Sequence, residues 1–265
     1  MKLTAGAGVR WVAILGAAVL AAPAAGWGQS GSETMQTQRE LHRLRDEEER
    51  QVLRLVSKTG AVKERKVVLY TLAGAGGLHK ILLRFLAPRD VENTALLTWE
   101  AKDGDDDQWL YLPATRKPKR VAASGKKNRF MGTDFAYEDL RPESLPAHRY
   151  TFVGTEAVEG VECQVIEAVP ATDRQAADTG YSKRKIWIRK DNLVTVKREY
   201  YDRQGKLEKV ESRRKLVNVT GNVWRTDEVE MQDVQNGTKT TLLVESRRFN
   251  TGLADSFFTE AELTR

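Results

Sequence analysis

The sequence predicts a mainly β protein with some α-helix, built on one wide antiparallel sheet. From about residue 61 onward, apolar and polar residues alternate with a period of two, which is typical of strands with one face in water. Turn-forming pairs separate the strands: Asp103-Gly104, Asp191-Asn192, Gln204-Gly205, Gly221-Asn222 and Asn236-Gly237. Tight turns of this kind connect antiparallel neighbours, whereas parallel strands need long crossovers. We therefore expect one meander of roughly ten to twelve strands, a width at which sheets curl or close.

The first 29 residues carry the pattern of a secretion signal. Lys2 and Arg10 precede an apolar run from Trp11 to Ala22, and small residues follow it. The run is shorter than the roughly 20 residues that a transmembrane helix needs. We therefore predict a cleaved signal peptide at 1–29 and a soluble mature protein with a single domain at 30–265. A membrane anchor at 1–29 is the alternative.

Export from the cytoplasm restricts the chemistry that is expected. We therefore expect neither nucleic acid nor a nucleotide cofactor as a partner, and no motif predicts another cofactor. Cys163 is the only cysteine, so no internal disulfide forms, and we expect it to be a small buried hydrophobic group. The net charge of +6, to which Lys2 and Arg10 contribute, is compatible with anionic lipid headgroups but does not require them.

Two periodicities divide the mature chain into elements. Residues 33–58 are predicted to form an amphipathic helix, because apolar residues recur along one stripe at three- and four-residue steps. The predicted strands span 63–73, 79–87, 92–101, 107–113, 118–123, 148–156, 161–169, 181–190, 193–202, 207–219, 222–234 and 238–249. A short terminal helix beginning near Thr259 is expected to offer Phe257, Phe258 and Leu263 to the core.

The two halves of the predicted sheet differ in their burial pattern. In the second half, Ile186 and Ile188 alternate with charged or amphipathic residues, so one face is expected to be wet. In the first half, residues 81–86 and 95–99 are apolar on both faces. Strands of that kind must be covered on both sides. The predicted helix 33–58 is one candidate cover, and a hydrophobic interior is the other.

An insertion at 113–147 interrupts the rhythm of the strands. It begins with a basic stretch, Arg116 to Arg129, that contains seven Lys or Arg and no acidic residue. Large apolar side chains follow at Phe130, Met131, Phe135 and Tyr137. Two interpretations remain open: a loop that packs its aromatic residues onto the sheet edge, or a mobile flap over an apolar cavity with a cationic rim.

One region resembles a known family. The segment "QWLYLPATRKPKRVAASGKKNRFMGTDFAYEDL" is similar to the signature region of the outer membrane lipoprotein-sorting protein family, within the wider group of LolA-like periplasmic carriers. The matching residues are Trp109, Tyr111, Leu112, Pro113, Lys119, Arg120, Phe130-Met131-Gly132-Thr133-Asp134-Phe135 and Tyr137-Glu138-Asp139-Leu140. The closing "FFTEAELT" at 257–264 resembles the C-terminal end of the family.

The resemblance implies an unclosed antiparallel β-barrel wrapped around an apolar concavity, with an N-terminal amphipathic helix and short lid helices. It also implies a periplasmic carrier, which binds acyl chains of lipids or lipoproteins and shuttles them towards the outer membrane. The implied partners are an inner-membrane exporter and an outer-membrane acceptor. Such a carrier is not an enzyme, and neither catalytic nor metal-binding residues are expected.

Three groups of residues are candidates for this site. The cavity is predicted to be lined by Leu83, Phe85, Leu97, Trp99, Trp109 and Tyr111. The flap is predicted to use Phe130, Met131, Phe135 and Tyr137. Contact with a lipid headgroup is predicted for Lys119, Arg120 and Arg129. Which face of the sheet is concave does not follow from the pattern.

Two other function classes remain as alternatives. A non-carrier interaction module would dock a membrane transporter through one charged sheet face, made of Arg184, Lys185, Arg189, Lys190, Lys197, Arg198, Arg213, Arg214 and Lys215. A periplasmic hydrolase is less favoured, because His42, His79 and His148 are widely spaced and no nucleophile motif accompanies them. The run Asp105-Asp106-Asp107 is predicted to be a solvated hairpin tip without the spacing of a calcium loop.

Overall fold

A computed structural model describes residues 30–102 and 105–265. The predicted signal peptide at 1–29 and the predicted Asp103-Gly104 turn lie outside the described residues. Strands dominate the described part of the chain: β1 (Asp46–Val56), β2 (Val62–Ala73), β3 (His79–Ala87), β4 (Ala95–Trp99), β5 (Asp107–Tyr111), β6 (Pro118–Arg120), β7 (His148–Val158), β8 (Val161–Pro170), β9 (Tyr181–Arg189), β10 (Thr195–Asp202), β11 (Leu207–Thr220), β12 (Val223–Asp233) and β13 (Thr238–Phe249). Two α-helices accompany them there, α1 (Gly31–Leu41) and α2 (Asp173–Asp178).

All of these strands belong to one antiparallel sheet with the order β6-β5-β4-β3-β2-β1-β13-β12-β11-β10-β9-β8-β7. Neighbours in the sheet are neighbours in the chain, except that β1 pairs with β13 near the middle. The predicted antiparallel meander is confirmed, and each of the twelve predicted strands is present. Turns occupy the predicted positions at Gln204-Gly205 and Asn236-Gly237, where both glycines have positive φ as these turns require.

The sheet is not closed into a barrel, as expected for an unclosed half-barrel. Its two edges are β6 and β7, which follow one another in sequence. Residues 121–147, here called the flap, connect these edges. The flap contains short 3₁₀ turns at Tyr137–Leu140 and Leu145–Ala147. The flap therefore joins the two open edges of the sheet.

The prediction of a helix over 33–58 is wrong beyond Leu41. Its first part is α1, which Ser30 caps through a reciprocal pair of hydrogen bonds with Glu33. The remainder is strand β1. Leu53 and Leu55 satisfy a two-residue period as well as a helical one, and β1 gains hydrogen-bonded neighbours on both sides, β2 and β13. Tertiary pairing therefore overrides the helix propensity of the glutamate and arginine residues in this segment.

Two hydrophobic layers cover the first half of the sheet, as its doubly apolar strands require. On the face here called the inner face, Leu53, Val67, Leu83 and Leu96 pack together with Phe130 of the flap. On the opposite, outer face, Leu72, Leu82, Leu97 and Trp109 pack against the C-terminal segment at Leu253, Phe257, Phe258 and Leu263. The covers are thus the flap and the C-terminal segment, and the expectation that the N-terminal helix covers these strands is wrong.

Helix α1 lies instead over the inner face of the second half of the sheet. Its Met35 is buried against Tyr150 of β7, Ile166 of β8, and Ile186 and Ile188 of β9. Thr34 of α1 donates a hydrogen bond to Gln164 at 2.9 Å. The flap and α1 therefore both lie on the inner face, and α1 covers part of its second half.

The C-terminal segment forms two 3₁₀ turns, Asp255–Phe257 and Glu262–Thr264, where one short helix was predicted. Phe258 and Leu263 are fully buried, and the Trp99 indole donates a hydrogen bond to the Phe258 carbonyl at 2.9 Å. Cys163 is buried, as predicted. Within residues 30–102 and 105–265, no helix is long and apolar enough to cross a membrane.

Candidate functional site

A cavity of about 450 Å³ lies between the inner face, α1 and the end of the flap. The sheet supplies its floor through residues of β1, β2, β3 and β10 to β13, while Met35, Gln38 and Arg39 of α1 form one wall. Four residues near the end of the flap form another wall: Arg141, Pro142, Glu143 and Leu145. The site is therefore built by elements that are far apart in the chain and that only the sheet topology brings together.

The floor of this cavity is apolar at its centre. Leu69, Ile81, Val229 and Leu242 line it, and all four also line a second cavity of about 170 Å³ that extends beneath Phe130. The register explains their proximity, because Leu242 pairs with Val229 on one side and with Leu53 of β1 on the other. The two cavities thus share this apolar floor together with Gln51, Arg141 and Arg213, and flap residues Phe130, Phe135 and Leu140 line the smaller cavity.

The aromatic residues predicted for the flap lie on the inner face. Phe130 is 1% exposed and packs on Phe85 and Tyr137, with ring centroids 5.7 and 5.3 Å away. Phe135 packs with Tyr181, Tyr200 and Met231 of the second half of the sheet. The flap therefore crosses the half-barrel from one side to the other and does not pack only on the sheet edge.

The predicted flap residue Met131 sits where the chain reverses direction. Both Met131 and Gly132 adopt positive φ, at 48° and 72°. The Met131 carbonyl accepts a hydrogen bond from the Arg65 guanidinium of β2 at 2.6 Å. This contact fastens the tip of the flap to the first half of the sheet.

Polar contacts fasten the flap to the second half of the sheet. The Asp134 carboxylate accepts hydrogen bonds from the hydroxyls of Thr238 and Thr240 on β13, the second at 2.7 Å. Arg129 pairs with Asp134 at 3.1 Å and with Asp233 at the end of β12. Both carboxylates are buried, so each depends on these partners.

The six residues predicted to line the cavity divide between the two faces. Leu83 lies on the inner face and lines the smaller cavity, and Phe85 lies on the same face beneath Phe130. The other four lie on the outer face with the C-terminal segment: Leu97, Trp99, Trp109 and Tyr111. These four residues therefore line neither cavity, contrary to the prediction. Adjacent strand residues point to opposite faces, and an apolar pattern on both faces does not distinguish them.

The three residues predicted for headgroup contact lie away from the cavity. Lys119 and Arg120 are on the edge strand β6, where Arg120 pairs with Asp107 of β5. Arg129 is engaged with Asp134 and Asp233. None of the three lines either cavity. The basic stretch leads into the flap. There Arg120 and Arg129 form ion pairs, and Lys119 is exposed to solvent.

The nine basic residues predicted to form one docking face are also divided. Arg184, Arg198 and Arg213 lie on the inner face, where Arg184 pairs with Glu143 and the other two share Glu211. Their sequence neighbours, including Lys197 and Arg214, lie on the outer face and pair with other glutamates. The charged stretches therefore do not form the single surface that the docking alternative requires.

Buried ion pairs beside the cavity fix the charge states of Glu211 and His148 at neutral pH. Burial raises the pKa of Glu211, but Arg213, Arg198 and the Tyr200 hydroxyl outweigh it and lower that pKa to about 2. Burial and the neighbouring Arg184 lower the pKa of His148 to about 4, although Glu143 opposes them. At neutral pH the carboxylate is therefore charged and the imidazole neutral.

The sequence analysis did not identify the buried ion pair between Asp106 and Arg141 of the flap. Asp106, predicted to be a solvated tip, is buried and pairs with Arg141 at 3.3 Å. Arg141, Arg198 and Arg213 all line the main cavity. The sequence analysis assigned Arg198 and Arg213 to one charged face together with their neighbours in the chain, and no local signal identified these two as residues of the inner face.

A family model described as that of an uncharacterized protein matches residues 77–265. No curated protein matches the chain. Among solved structures, an outer membrane lipoprotein-sorting protein domain from Vibrio parahaemolyticus is 32% identical, with a TM-score of 0.84 over 89% of this chain and 98% of that one.

Two further solved structures are similar. A DUF1329 family protein from Desulfovibrio piger is 26% identical, with a TM-score of 0.81 over 88% of this chain and 97% of that one. A LolA superfamily protein from Nitrosomonas europaea is 16% identical, with a TM-score of 0.70 over 89% of this chain and 100% of that one. This last likeness concerns the fold.

Proposed function

Because this chain belongs to the outer membrane lipoprotein-sorting protein family, we propose that it is a periplasmic carrier of lipids or lipoproteins. It binds their acyl chains in the cavity between the inner face, α1 and the flap, and it shuttles them towards the outer membrane. An inner-membrane exporter supplies the cargo and an outer-membrane acceptor receives it. The N-terminal segment 1–29 directs its export.

The observation that supports this proposal most directly is the cavity itself. Its volume of about 450 Å³ lies within the range of about 300–1,000 Å³ that is usual for sites of small ligands. The apolar floor at Leu69, Ile81, Val229 and Leu242 suits an alkyl chain, which makes no hydrogen bonds. The second cavity extends the same floor beneath the flap.

Binding in such a site is non-covalent and depends on burial. Each CH₂ group removed from water contributes about 0.8 kcal/mol, so an acyl chain of about sixteen carbons contributes on the order of 10 kcal/mol before losses. Loss of translational freedom and opening of the flap reduce this figure. Transfer then requires an acceptor of comparable affinity, without ATP hydrolysis at the carrier.

The flap and α1 are the elements that open to admit a long chain. Helix α1 is attached to the sheet mainly through polar contacts, since Met35 is its only buried large apolar side chain. Arg39 of α1 pairs with Glu100 at 2.7 Å, and Gln38 donates a hydrogen bond to Thr195 at 2.8 Å. The hydrogen bond of Gln38 is exchanged for one with water at modest net cost. Separation of Arg39 from Glu100 costs more, because the Glu100 side chain is 2% exposed. In the empty state the flap covers the smaller cavity, and a long chain that enters this cavity takes the place of the flap residues there.

Native mass spectrometry of the protein purified from a bacterial periplasm tests the proposal. We expect a co-purifying lipid mass that is lost after solvent extraction and restored by added phospholipid or acylated peptide. A protein that carries no lipid and takes up neither ligand would refute the carrier function.

A matched pair of variants tests whether the cavity is the binding site. Leu242→Trp places an indole on the shared floor, and we expect it to reduce lipid uptake while the protein remains folded. Val62→Trp adds the same group on β2, where the side chain is 56% exposed, and uptake should be unchanged. Equal uptake by both variants would place the ligand elsewhere.

A further inference from the structure

Three arginines border the apolar floor of the cavity on one side. Arg141 lies at the end of the flap, Arg198 on β10 and Arg213 on β11, and all three line the main cavity. Arg213 is directly opposite Val229 in the register of β11 and β12. A strongly charged group and the centre of the apolar floor are therefore neighbours.

These guanidinium groups have few protein partners. Arg198 donates through Nη1 to Glu211, with a shortest distance of 3.1 Å, and Arg213 donates to the same carboxylate through Nε. Arg141 donates through Nη1 to Asp106 at 3.3 Å. The Nε groups of Arg141 and Arg198 are buried and have no acceptor among the described residues. Since a guanidinium has five N–H donors, most of the donor capacity of this cluster is unused.

The local balance of charge leaves this cluster positive. Glu211 forms ion pairs with both Arg198 and Arg213, and it also accepts a hydrogen bond from the Tyr200 hydroxyl at 2.7 Å. Other carboxylates that line the cavity are engaged with different cations: Glu47 with Arg225, Glu49 with Arg247, and Glu143 with Arg184. Three guanidinium groups therefore share two directly contacting carboxylates, Asp106 and Glu211. Glu138 also lies near Arg141, but burial and the neighbouring Asp139 raise the pKa of Glu138 and favour its uncharged form. This arrangement favours one additional anion.

We propose that Arg141, Arg198 and Arg213 form an anion site that binds a phosphate or carboxylate headgroup while the acyl chain lies on the apolar floor. The cargo is then an anionic lipid, in preference to an uncharged diacylglyceryl group. Guanidinium groups suit this role because their planar donors match the oxygens of phosphate and carboxylate. The inference rests on the proposed carrier function, of which it specifies the substrate class.

Competition between lipids with the same acyl chains tests the proposal. Delipidated protein is loaded with the uncharged fluorescent probe N-phenyl-1-naphthylamine, and the probe is displaced with dioctanoyl phosphatidylglycerol or with dioctanoylglycerol. We expect the anionic lipid to displace the probe at a concentration about tenfold lower, which corresponds to one charge-assisted hydrogen bond. Equal potency would overturn the anion site and leave the carrier function intact. If neither lipid displaces the probe, both proposals fail.

Variants locate the effect. The double variant Arg141→Gln with Arg213→Gln should abolish the preference, because it weakens the binding of phosphatidylglycerol and leaves that of dioctanoylglycerol unchanged. Lys119→Gln removes one positive charge from the edge strand, outside both cavities, and should keep the preference. If the glutamine variant is unstable, Arg213→Lys replaces it as the test. This variant retains the charge and should keep most of the preference for the anionic lipid. A preference that survives in the folded double variant would overturn the assignment.

Inorganic phosphate distinguishes a headgroup from a free anion. If the site recognises the phosphate group, millimolar phosphate should weaken displacement by phosphatidylglycerol and leave displacement by dioctanoylglycerol unchanged. If phosphate weakens both lipids equally, the anion does not compete at this site, and the assignment of the three arginines is overturned.

Discussion

Phe130 of the flap lies beside Phe85 of β3, with ring centroids 5.7 Å apart and both side chains buried. This contact makes the flap part of the hydrophobic core of the first half of the sheet. If the flap moved away, Phe85 and the neighbouring Leu83 would be exposed to water. Opening is therefore unfavourable unless a ligand covers the same surface, and this relationship connects the stability of the empty protein to the proposed binding of an apolar chain.

The contribution of Phe130 to stability can be measured directly. Phe130→Ala removes a ring that is 1% exposed, and we expect the free energy of unfolding to fall by about 3 kcal/mol. Phe152→Ala makes the same change on β7, where the side chain is 44% exposed, and should cost less than about 0.5 kcal/mol. Urea unfolding compares the two variants. Equal losses would show that the flap is not part of the core.

The anchor of the flap at Asp134 is expected to control the rate of ligand entry. Asp134→Asn removes the charge that Arg129, Thr238 and Thr240 contact. Loss of about 1.5 kcal/mol of this interaction should raise the rate of probe uptake about tenfold in stopped-flow fluorescence. Asp191→Asn, at a surface turn, is the control and should leave the rate unchanged. An unaltered rate in the Asp134 variant would mean that the flap does not control entry.

Leu83 and Leu97 provide a test of which face binds the ligand. Both are buried leucines, but Leu83 lines the smaller cavity whereas Leu97 packs on the outer face. Each substitution by alanine should lower the free energy of unfolding by about 3 kcal/mol. Only Leu83→Ala should also weaken binding of the probe in a fluorescence titration. Weaker binding by folded Leu97→Ala alone would assign the ligand to the outer face.

Stability should decrease as the pH falls below neutrality, and His148 is one cause. Burial and Arg184 lower its pKa from 6.5 to about 4 in the folded protein. Between these values the unfolded chain binds a proton that the folded protein does not, so acid favours unfolding. The full contribution is present above pH 6.5 and is lost progressively towards pH 4.

The size of this effect follows from the shift. A difference of this size in pKa corresponds to about 3 kcal/mol in the free energy of unfolding. His148→Gln should therefore show a shallower dependence of that free energy on pH when urea unfolding is compared at pH 7 and near pH 4.5. Identical slopes for the variant and the original protein would contradict the assignment to His148.

The sequence alone determined most of the secondary structure. Period-two alternation and pairs such as Asn236-Gly237 are local signals, because a strand and its turn are specified by residues that are close in the chain. The insertion that contains the flap was also predicted, since Phe130 and its neighbours interrupt the alternation. The family followed from a long and specific motif in the same region.

Strand β1 was missed for a physical reason. Leu53 and Leu55 fit both a helical and an extended pattern, and the choice between them depends on pairing with β13, almost 200 residues away in the chain. A local window contains no information about such a partner. The unpredicted strand is also the one that joins the two halves of the sheet.

Only the tertiary structure decided which residues form the site. Leu83 and Leu97 carry the same side chain in strands that are apolar on both faces, and their separation depends on which face the flap and the C-terminal segment cover. Arg198 and Arg213 reach the cavity because the curvature of the sheet places their face inward. The pattern of a strand fixes which residues share a face, but packing against other elements decides which face becomes the interior.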